Sequence, residues 1–258
     1  MSSTDLFSLS GKTAVVIGGG GVLAGAIAAG FAEAGADLAI LDLNGANAEA
    51  RAASIRALGR RAISVEVNAT SKQDLSRALD RILKELGSAG ILLNAAGINS
   101  STPFFDITED EWQRILDVNL KSMVLACQVF GKAMMDAGRG GSIINISSAS
   151  SGPPLSKVFT YSITKGGVNQ LTQFLARDFA PYKIRVNALA PGFIPAEQNR
   201  RILTEERVAS IMAHTPMGRF GEPSEMIGAC VWLAAERASS FVTGAIIRVD
   251  GGFTAMTI

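Results

Sequence analysis

The sequence has one histidine, His214, and two cysteines, Cys127 and Cys230, among its 258 residues. A single histidine excludes a histidine-rich metal site and leaves little room for a Ser-His-Asp triad. Both cysteines fall within apolar helical patterns, which is typical of reduced core thiols in a reducing compartment. We therefore expect a cytoplasmic protein with no metal site.

Runs of like charge and long apolar runs are also missing. The formal net charge of +1, with no cluster of lysines or arginines, gives no electrostatic reason to bind nucleic acid or an anionic membrane surface. Residues 1–10 lack the basic start and apolar core of a secretory signal, and no stretch approaches the length of a membrane span. We expect neither nucleic acid nor a membrane as a partner.

What the chain has instead is an alternation of strand and helix patterns. It is 48% hydrophobic and 18% charged, so it can bury a large core as one α/β domain. Short apolar runs predict strands at 13–17, 38–41, 63–67, 91–93, 142–146, 184–189 and 245–249. Helical patterns lie at 22–34, 47–58, 71–86, 108–137, 161–179 and 222–235, and 191–216 is the least regular stretch. Strands that are apolar on both faces indicate a doubly wound parallel sheet with helices on each side.

A glycine turn follows the first predicted strand, at Gly18, Gly19, Gly20 and Gly21. Gly19-x-Gly21-x-x-Ala24 fits the spacing with which a strand-to-helix turn brings backbone N–H groups against a pyrophosphate. The alternative is a flexible glycine turn.

Asp42 ends the second predicted strand, where a carboxylate accepts hydrogen bonds from the adenosine ribose hydroxyls and repels a 2′-phosphate. No basic residue directly follows it, so NAD is favoured over NADP. A solvated aspartate at the end of a strand is the alternative.

Four polar residues form a candidate catalytic set. Tyr161 and Lys165 are four residues apart, which places a phenol and an ammonium on one helix face. We expect the ammonium to lower the phenol's pKa, so that the phenol can take a proton from an alcohol or return it to a carbonyl. Ser148 follows a buried-looking strand at the edge where open α/β sheets bind ligands, although it could merely cap a turn. Asn119 is a poor helix former inside a long helix, which indicates a further task unless it is a buried, hydrogen-bonded asparagine.

These features together resemble the short-chain dehydrogenase/reductase family over essentially the whole chain. The resemblance rests on the glycine turn, Asn94-Ala95-Ala96-Gly97, Asn119, Ser148, Tyr161-x-x-x-Lys165, Pro191-Gly192 and Asp250-Gly251-Gly252. It implies a Rossmann-type sheet of about seven strands in a single domain over residues 1–258. It also implies that Tyr161 is the acid/base, that Ser148 holds the substrate oxygen, that Lys165 binds the nicotinamide ribose and tunes Tyr161, and that Asn119 holds a water in a proton relay.

The resemblance also implies a nucleotide site. The expected cofactor-binding residues are Gly18, Gly19, Gly20, Gly21, Val22, Leu23, Asp42, Asn68, Ala69, Asn94, Ala95, Ala96, Gly97, Tyr161, Lys165, Pro191, Gly192 and Ile194. Several positions depart from the family's usual residues, namely Ile17, Val22, Ala24, Asn68, Ala95 and Ala196. These departures bear on cofactor affinity more than on the chemistry.

The substrate side is less specific. A substrate-covering segment is expected at about 192–216, and residues 21–23 and 191–200 look most like the branch of mannonate or fructuronate oxidoreductases. The substrate candidates there are Gln198, Asn199 and Arg200, because an arginine could pair with a carboxylate. A solvated helix start is the alternative. Asn99 is a further substrate candidate, and Ser100, Lys157 and His214 are weaker ones.

The sequence thus predicts an NAD-dependent oxidoreductase that interconverts a secondary alcohol and a ketone and acts on a polyol, sugar or sugar acid as its small-molecule substrate. One alternative is a reductase of 3-oxoacyl or hydrophobic ketones, which apolar residues such as Phe104 and Phe193 would suit. The other is a catalytically silent nucleotide-binding regulator. The resemblance further implies a homotetramer, with the predicted helices 108–137 and 161–179 in one interface and the last strand in another.

Overall fold

The computed structural model describes residues 3–153, 155–195 and 204–256. They form a sheet of seven parallel strands in the order β3-β2-β1-β4-β5-β6-β7. The strands are β1 (Thr13–Ile17), β2 (Asp37–Asp42), β3 (Ala62–Glu66), β4 (Ile91–Asn94), β5 (Gly141–Ile146), β6 (Ile184–Pro191) and β7 (Ile246–Val249). The predicted doubly wound parallel sheet is confirmed.

Helices cover both faces of this sheet. They are α1 (Ser3–Leu6), α2 (Val22–Glu33), α3 (Gly45–Ala57), α4 (Lys72–Leu86), α5 (Glu109–Leu116), α6 (Ser122–Ala137), α7 (Phe159–Phe179), α8 (Glu205–Ala213), α9 (Ile227–Ala234) and α10 (Glu236–Ser239). The helices α2, α3 and α9 share one apolar core with the sheet, and α4, α6 and α7 share the core on the opposite face. No helix among the described residues is long and apolar enough to cross a membrane.

The strand order creates a crevice beside β1. This strand pairs with β2 on one side, where Ile17 is opposite Leu41, and with β4 on the other, where Ile17 is opposite Asn94. The chain winds outward in opposite directions from this point, and in open parallel sheets ligands bind at the carboxyl ends of strands where the order reverses. The expected nucleotide residues after β1 and β4 therefore lie beside this crevice.

Two predictions of secondary structure needed correction. The helix predicted over 108–137 is divided by a π-helical turn at Asp117–Lys121, between α5 and α6. The stretch predicted to be irregular contains α8, whose first turn is capped by Thr204 accepting a hydrogen bond from the N–H of Arg207. Thr204 followed by Glu205 and Glu206 is a helix-start signal, since a hydroxyl cap and acidic first-turn residues both stabilise helix N-termini.

Candidate active site

The glycine turn between β1 and α2 is packed too closely for side chains. Gly18 has φ +76°, and a Cβ added there would lie 2.9 Å from the backbone nitrogen of Ala96. A Cβ on Gly20 would lie 2.7 Å from Cβ of Asn47. Gly21 is the N-cap of α2, and because it has no side chain, no side chain of the cap residue covers the first turn of the helix. The turn therefore leaves a bare backbone at the positive end of a helix, which fits the pyrophosphate of a dinucleotide.

Asp42 stands at the end of β2 and faces this turn. One carboxylate oxygen accepts a hydrogen bond from the N–H of Gly20 at 3.0 Å, and the other accepts from the N–H of Asn44 at 2.9 Å. These bonds hold the carboxylate against the glycine turn, the position expected for a group that binds the adenosine ribose.

The remaining expected nucleotide residues lie in the loops at the carboxyl edge of the sheet. Asn68 and Ala69 follow β3, and the side-chain oxygen of Asn68 accepts hydrogen bonds from the N–H and the hydroxyl of Thr70 at 3.0 and 2.7 Å. Val22 and Leu23 form the first turn of α2. Asn94 ends β4 and Ala95 and Ala96 follow it, with the N–H of Ala95 bonded to the carbonyl of Ile17 at 3.0 Å.

The end of β6 approaches the loop after β7. Pro191 is the last residue of β6, and a Cβ added to Gly192 would lie 2.7 Å from Cα of Asp250. The Asp250 carboxylate accepts hydrogen bonds from the N–H groups of Gly252 and Thr254, both at 3.0 Å. Ile194 packs against the apolar core that the sheet shares with α2, α3 and α9. This arrangement fixes the backbone on the far side of the crevice.

Tyr161 and Lys165 share one face of α7, as the spacing predicts. The ammonium Nζ lies 5.4 Å from the centre of the Tyr161 ring and donates a hydrogen bond to the carbonyl of Ile146, at 2.7 Å. Burial lowers the pKa of Lys165 to about 8. Lys165 is only 3% exposed, so its charge is held in a poorly solvated place.

The expected lowering of the Tyr161 pKa is wrong for this structure. Burial of the phenol raises its pKa, and a hydrogen bond with Ser148 opposes that rise. Desolvation disfavours the phenolate, and here it outweighs the stabilising partner. At neutral pH Tyr161 is therefore a protonated phenol, the form that can give a proton to a carbonyl.

Ser148 follows β5 and begins a 3-10 turn at Ala149–Ser151. Its hydroxyl oxygen accepts hydrogen bonds from the N–H and the hydroxyl of Ser150, at 3.1 and 3.0 Å. The turn cap that the sequence allowed for Ser148 is thus present, and the same hydroxyl lies close enough to Tyr161 to affect its pKa. The structure brings Ser148, Tyr161 and Lys165 together at the carboxyl edge of the sheet.

Asn119 is fully buried in the π-helical turn. Its amide oxygen accepts a hydrogen bond from the N–H of Ile98, and its amide nitrogen donates to the carbonyl of Ile98, both at 2.8 Å. The nitrogen also donates to the hydroxyl of Thr164 at 3.2 Å. A Cβ on Gly97 would lie 3.6 Å from the Asn119 oxygen and 3.8 Å from Nζ of Lys165. Asn119 therefore clamps the loop after β4 beside α7.

Sequence reasoning missed a supporting network behind Ser148. The hydroxyl of Ser147 donates to the side-chain oxygen of Asn169 at 2.6 Å, and the amide nitrogen of Asn169 donates to the hydroxyl of Ser151 at 2.9 Å. Ser151 in turn donates to the carbonyl of Ser148 at 2.6 Å. The available signal was helical spacing, since Asn169 follows Lys165 by four residues and so shares its face of α7.

A cavity of about 830 Å³ adjoins these residues. The described residues that line it are Ser101, Thr102, Pro103, Phe104, Ser150, Ser151, Gly152, Leu155, Lys157, Phe159, Ser162, Ile163 and Thr204. Lys157, a weaker candidate from sequence, is thus placed at the cavity. Ser150 and Ser162 are near neighbours in the chain of Ser148 and Tyr161, so the cavity opens beside the candidate catalytic set.

The other substrate candidates are not among the described lining residues of this cavity. Asn99 is not among the described lining residues, and its side-chain oxygen accepts a hydrogen bond from the N–H of Ser100 at 2.8 Å. His214 lines a separate cavity of about 360 Å³, with its ring 4.8 Å from that of Phe253. Gln198, Asn199 and Arg200, together with Ala196 and Arg201, lie outside the described residues, as does part of the segment 192–216.

Known proteins resemble this chain over nearly its full length. Residues 21–254 match a family model described as enoyl-(acyl carrier protein) reductase. A galactitol 2-dehydrogenase of Rhizobium johnstonii is 38% identical, with 98% of this chain and 99% of that protein covered. A 5-keto-D-gluconate 5-reductase of Escherichia coli is 33% identical, with 96% and 97% covered. The crystal structure of a gluconate 5-dehydrogenase from Burkholderia cenocepacia, in complex with NADP and tartrate, superposes with a TM-score of 0.95 at 33% identity and covers 99% of this chain and 100% of that one.

Proposed function

Because this chain belongs to the short-chain dehydrogenase/reductase family and has relatives named for dehydrogenation or reduction at CH–OH groups, we propose that it interconverts a secondary alcohol and a ketone on a polyol, sugar or sugar acid. The observation that carries the proposal is the placement of the Tyr161 phenol beside the hydroxyl of Ser148 and the buried ammonium of Lys165, which lies 5.4 Å from the centre of the Tyr161 ring. The names of the relatives, which act on galactitol and on gluconate derivatives, support the substrate class.

Tyr161 and Ser148 handle the proton of the reacting oxygen. In reduction, Ser148 donates a hydrogen bond to the carbonyl oxygen and Tyr161 delivers its phenolic proton to that oxygen as the carbon gains hydride. In oxidation, Tyr161 must first lose its own proton, and its phenolate then takes the hydroxyl proton while the carbon loses hydride. A bound nicotinamide dinucleotide supplies or accepts that hydride.

Lys165 and Asn119 support this proton transfer. The Lys165 ammonium stabilises the phenolate that forms when Tyr161 gives up its proton, an effect strengthened by the low dielectric of a buried site. Asn119 fixes the loop at Gly97 and Ile98 through its paired hydrogen bonds. We further propose that this loop, with Asn119, orients a water that returns a proton to Tyr161.

The proposed coenzyme is NAD. The glycine turn gives the pyrophosphate a backbone surface, and Asp42 faces that turn with its carboxylate fixed by two N–H groups. A carboxylate there accepts hydrogen bonds from two ribose hydroxyls and repels a 2′-phosphate. A homotetrameric assembly and a cytoplasmic location remain part of this proposal, and light scattering of the purified protein tests the assembly.

Turnover with a substrate panel tests the proposed activity. The protein is incubated with NAD or NADP and with alditols, aldonates and a hydrophobic secondary alcohol, while absorbance of the reduced nicotinamide is recorded. We expect turnover with NAD on alditols or aldonates. Preference for the hydrophobic alcohol would indicate the other substrate class, and NADH binding without turnover on any substrate would indicate a regulator.

A pair of tyrosine variants tests the assigned acid/base. Tyr161→Phe removes the phenolic oxygen and is expected to lower kcat by at least about 10²-fold, the usual contribution of general acid–base catalysis. Tyr182→Phe is the matched control, because Tyr182 is 51% exposed in the turn before β6 and should leave kcat unchanged. Equal activity of Tyr161→Phe and the parent would contradict the assignment.

A further inference from the structure

The large cavity beside the candidate catalytic set carries one charged side chain among its described lining residues, Lys157. The other described lining residues are neutral, with hydroxyls from serines and threonines and apolar surface from residues such as Phe104 and Ile163. Glu111 accepts a hydrogen bond from the lining residue Thr102 at 2.8 Å without lining the cavity itself. The charge that this part of the cavity wall presents to a ligand is therefore positive.

No described residue neutralises this charge. Lys157 forms no ion pair within the described parts of the chain, and its side chain is exposed. Its position is fixed from the neighbouring residue, because Arg207 in α8 donates to the carbonyl of Ser156 at 2.8 Å and to its hydroxyl at 3.2 Å. A lysine that lines a cavity wall next to an anchored residue, and whose side chain has no ion-pair partner among the described residues, is suited to an anionic ligand.

A second unsatisfied polar group lies in the same cavity. The hydroxyl of Ser162 is a lining group, and its oxygen is buried without a hydrogen-bond partner among the described residues. Buried hydroxyls are normally hydrogen-bonded, so an orphan in a cavity wall indicates a ligand or water that completes it. Ser162 directly follows Tyr161 in α7, so this unpartnered hydroxyl belongs to the part of the cavity wall next to the candidate catalytic set.

We propose that Lys157 binds the carboxylate of a sugar-acid substrate and so determines a preference for acids over neutral polyols. The inference rests on the proposed function, since it names the part of the substrate that lies in the cavity beside Tyr161. The hydroxyl of Ser162 forms a hydrogen bond with a hydroxyl of the same substrate. The lysine takes no part in hydride or proton transfer, so its contribution is to binding.

Paired substrates and paired lysine variants test this. The substrates are gluconate, mannonate and galactonate, each compared with its alditol, sorbitol, mannitol or galactitol, which carries a CH₂OH group in place of the carboxylate. Lys157→Met removes the charge and Lys157→Arg keeps it. The matched control is Lys183→Met, because Lys157 and Lys183 both have left-handed backbones, with φ +64° and +58°, and Lys183 precedes β6 at the opposite edge of the sheet.

We expect Lys157→Met to raise KM for the preferred aldonate by about tenfold, the effect of losing a partly exposed charged hydrogen bond. Its kcat for the aldonate and its kcat/KM for the alditol should stay within about twofold of the parent, and Lys157→Arg should restore most of the aldonate KM. Added salt should raise the parent's KM for the aldonate, because it screens the ion pair, and this dependence should weaken in Lys157→Met. Lys183→Met should match the parent.

Each opposing outcome has a distinct meaning. An equal loss on aldonates and alditols in Lys157→Met, or an unchanged aldonate KM, overturns the role of Lys157 and leaves the proposed function standing. A parent enzyme that oxidises alditols and rejects every aldonate likewise overturns the carboxylate assignment alone. A parent that turns over neither class contradicts the proposed function, and the assignment of Lys157 with it.

Discussion

Replacing Lys165 with methionine should reveal that the fold holds an ammonium where it is poorly solvated. The side chain is 3% exposed, and burial moves its pKa from 10.5 to about 8. One pKa unit corresponds to about 1.36 kcal/mol, so this change means that folding disfavours the charged form by about 3 kcal/mol. The hydrogen bond to the carbonyl of Ile146 offsets part of that penalty.

The sign of the effect depends on pH. Between pH 8 and 10.5 the unfolded chain keeps a proton on this lysine that the folded protein has released. The contribution of Lys165 to the free energy of unfolding therefore rises across this window, by up to about 3 kcal/mol, and below pH 8 the full penalty is present. Methionine cannot titrate, although it leaves the Ile146 carbonyl without its partner, at a cost of about 1–3 kcal/mol.

Urea unfolding followed by tryptophan fluorescence at pH 7, 8, 9 and 10 measures this difference. We expect Lys165→Met to equal or exceed the parent's stability at pH 7 and to lose ground steadily above pH 8, while kcat falls by at least about 10²-fold. Lys84→Met, at an exposed site on α4, is the control and should follow the parent. Unfolding free energies that differ by the same amount at every pH would refute the reasoning.

Three further predictions concern other buried or functional groups. Asp42→Ala should raise the kcat/KM for NADP relative to NAD by about tenfold, or about 1.4 kcal/mol, because the carboxylate that repels a 2′-phosphate is gone; an unchanged ratio from coenzyme titrations would count against the role of Asp42. Asn119→Ala should destabilise the fold by about 3 kcal/mol and should also lower kcat. Asn187→Ala is its control, because Asn187 is a similarly buried asparagine bonded to Val242 and Ala245, and it should lower stability alone. An Asn119→Ala variant with the same kcat as the parent would exclude a role of Asn119 beyond folding. Burial raises the pKa of the Cys127 and Cys230 thiols from 9.0 to about 12. Each thiol therefore contributes stability that is lost as the pH rises above 9, about 1.4 kcal/mol by pH 10. In urea unfolding, the double alanine variant should lack this alkaline loss of stability, and a loss as large as the parent's would show that the thiols do not cause it.

Much of the fold was predictable from local sequence because most strands are apolar runs covered on both faces. The strands β1 and β4 illustrate this, since every residue in them is buried, up to Gly18 after β1 and up to Asn94 at the end of β4. The π-helical turn was not predictable in this way. Asn119 was identified as a poor helix former, but its partners Ile98 and Thr164 are 21 and 45 residues away in sequence, and only the packed fold selects them.

The candidate site shows the same division. Spacing placed Tyr161 and Lys165 on one helix face, and that geometry is confirmed. Spacing could not give the direction of the Tyr161 pKa, because it reveals the cation nearby but not the loss of water around the phenol. Lys157 also had no decisive sequence signal, since a lone lysine before a helix becomes informative only when the surrounding cavity wall is known to be neutral.

The five-residue turn that holds Asn119 also has a consequence for insertions and deletions. A π turn accommodates one more residue than the same span of regular helix. Deleting one residue from 117–121 should restore uniform winding, and each residue of a helix rotates the next by about 100°. The half of the helix that packs against α4 and the half that packs against α7 would then no longer point in their present directions. A shortened chain could thus keep a well-formed helix and still be inactive.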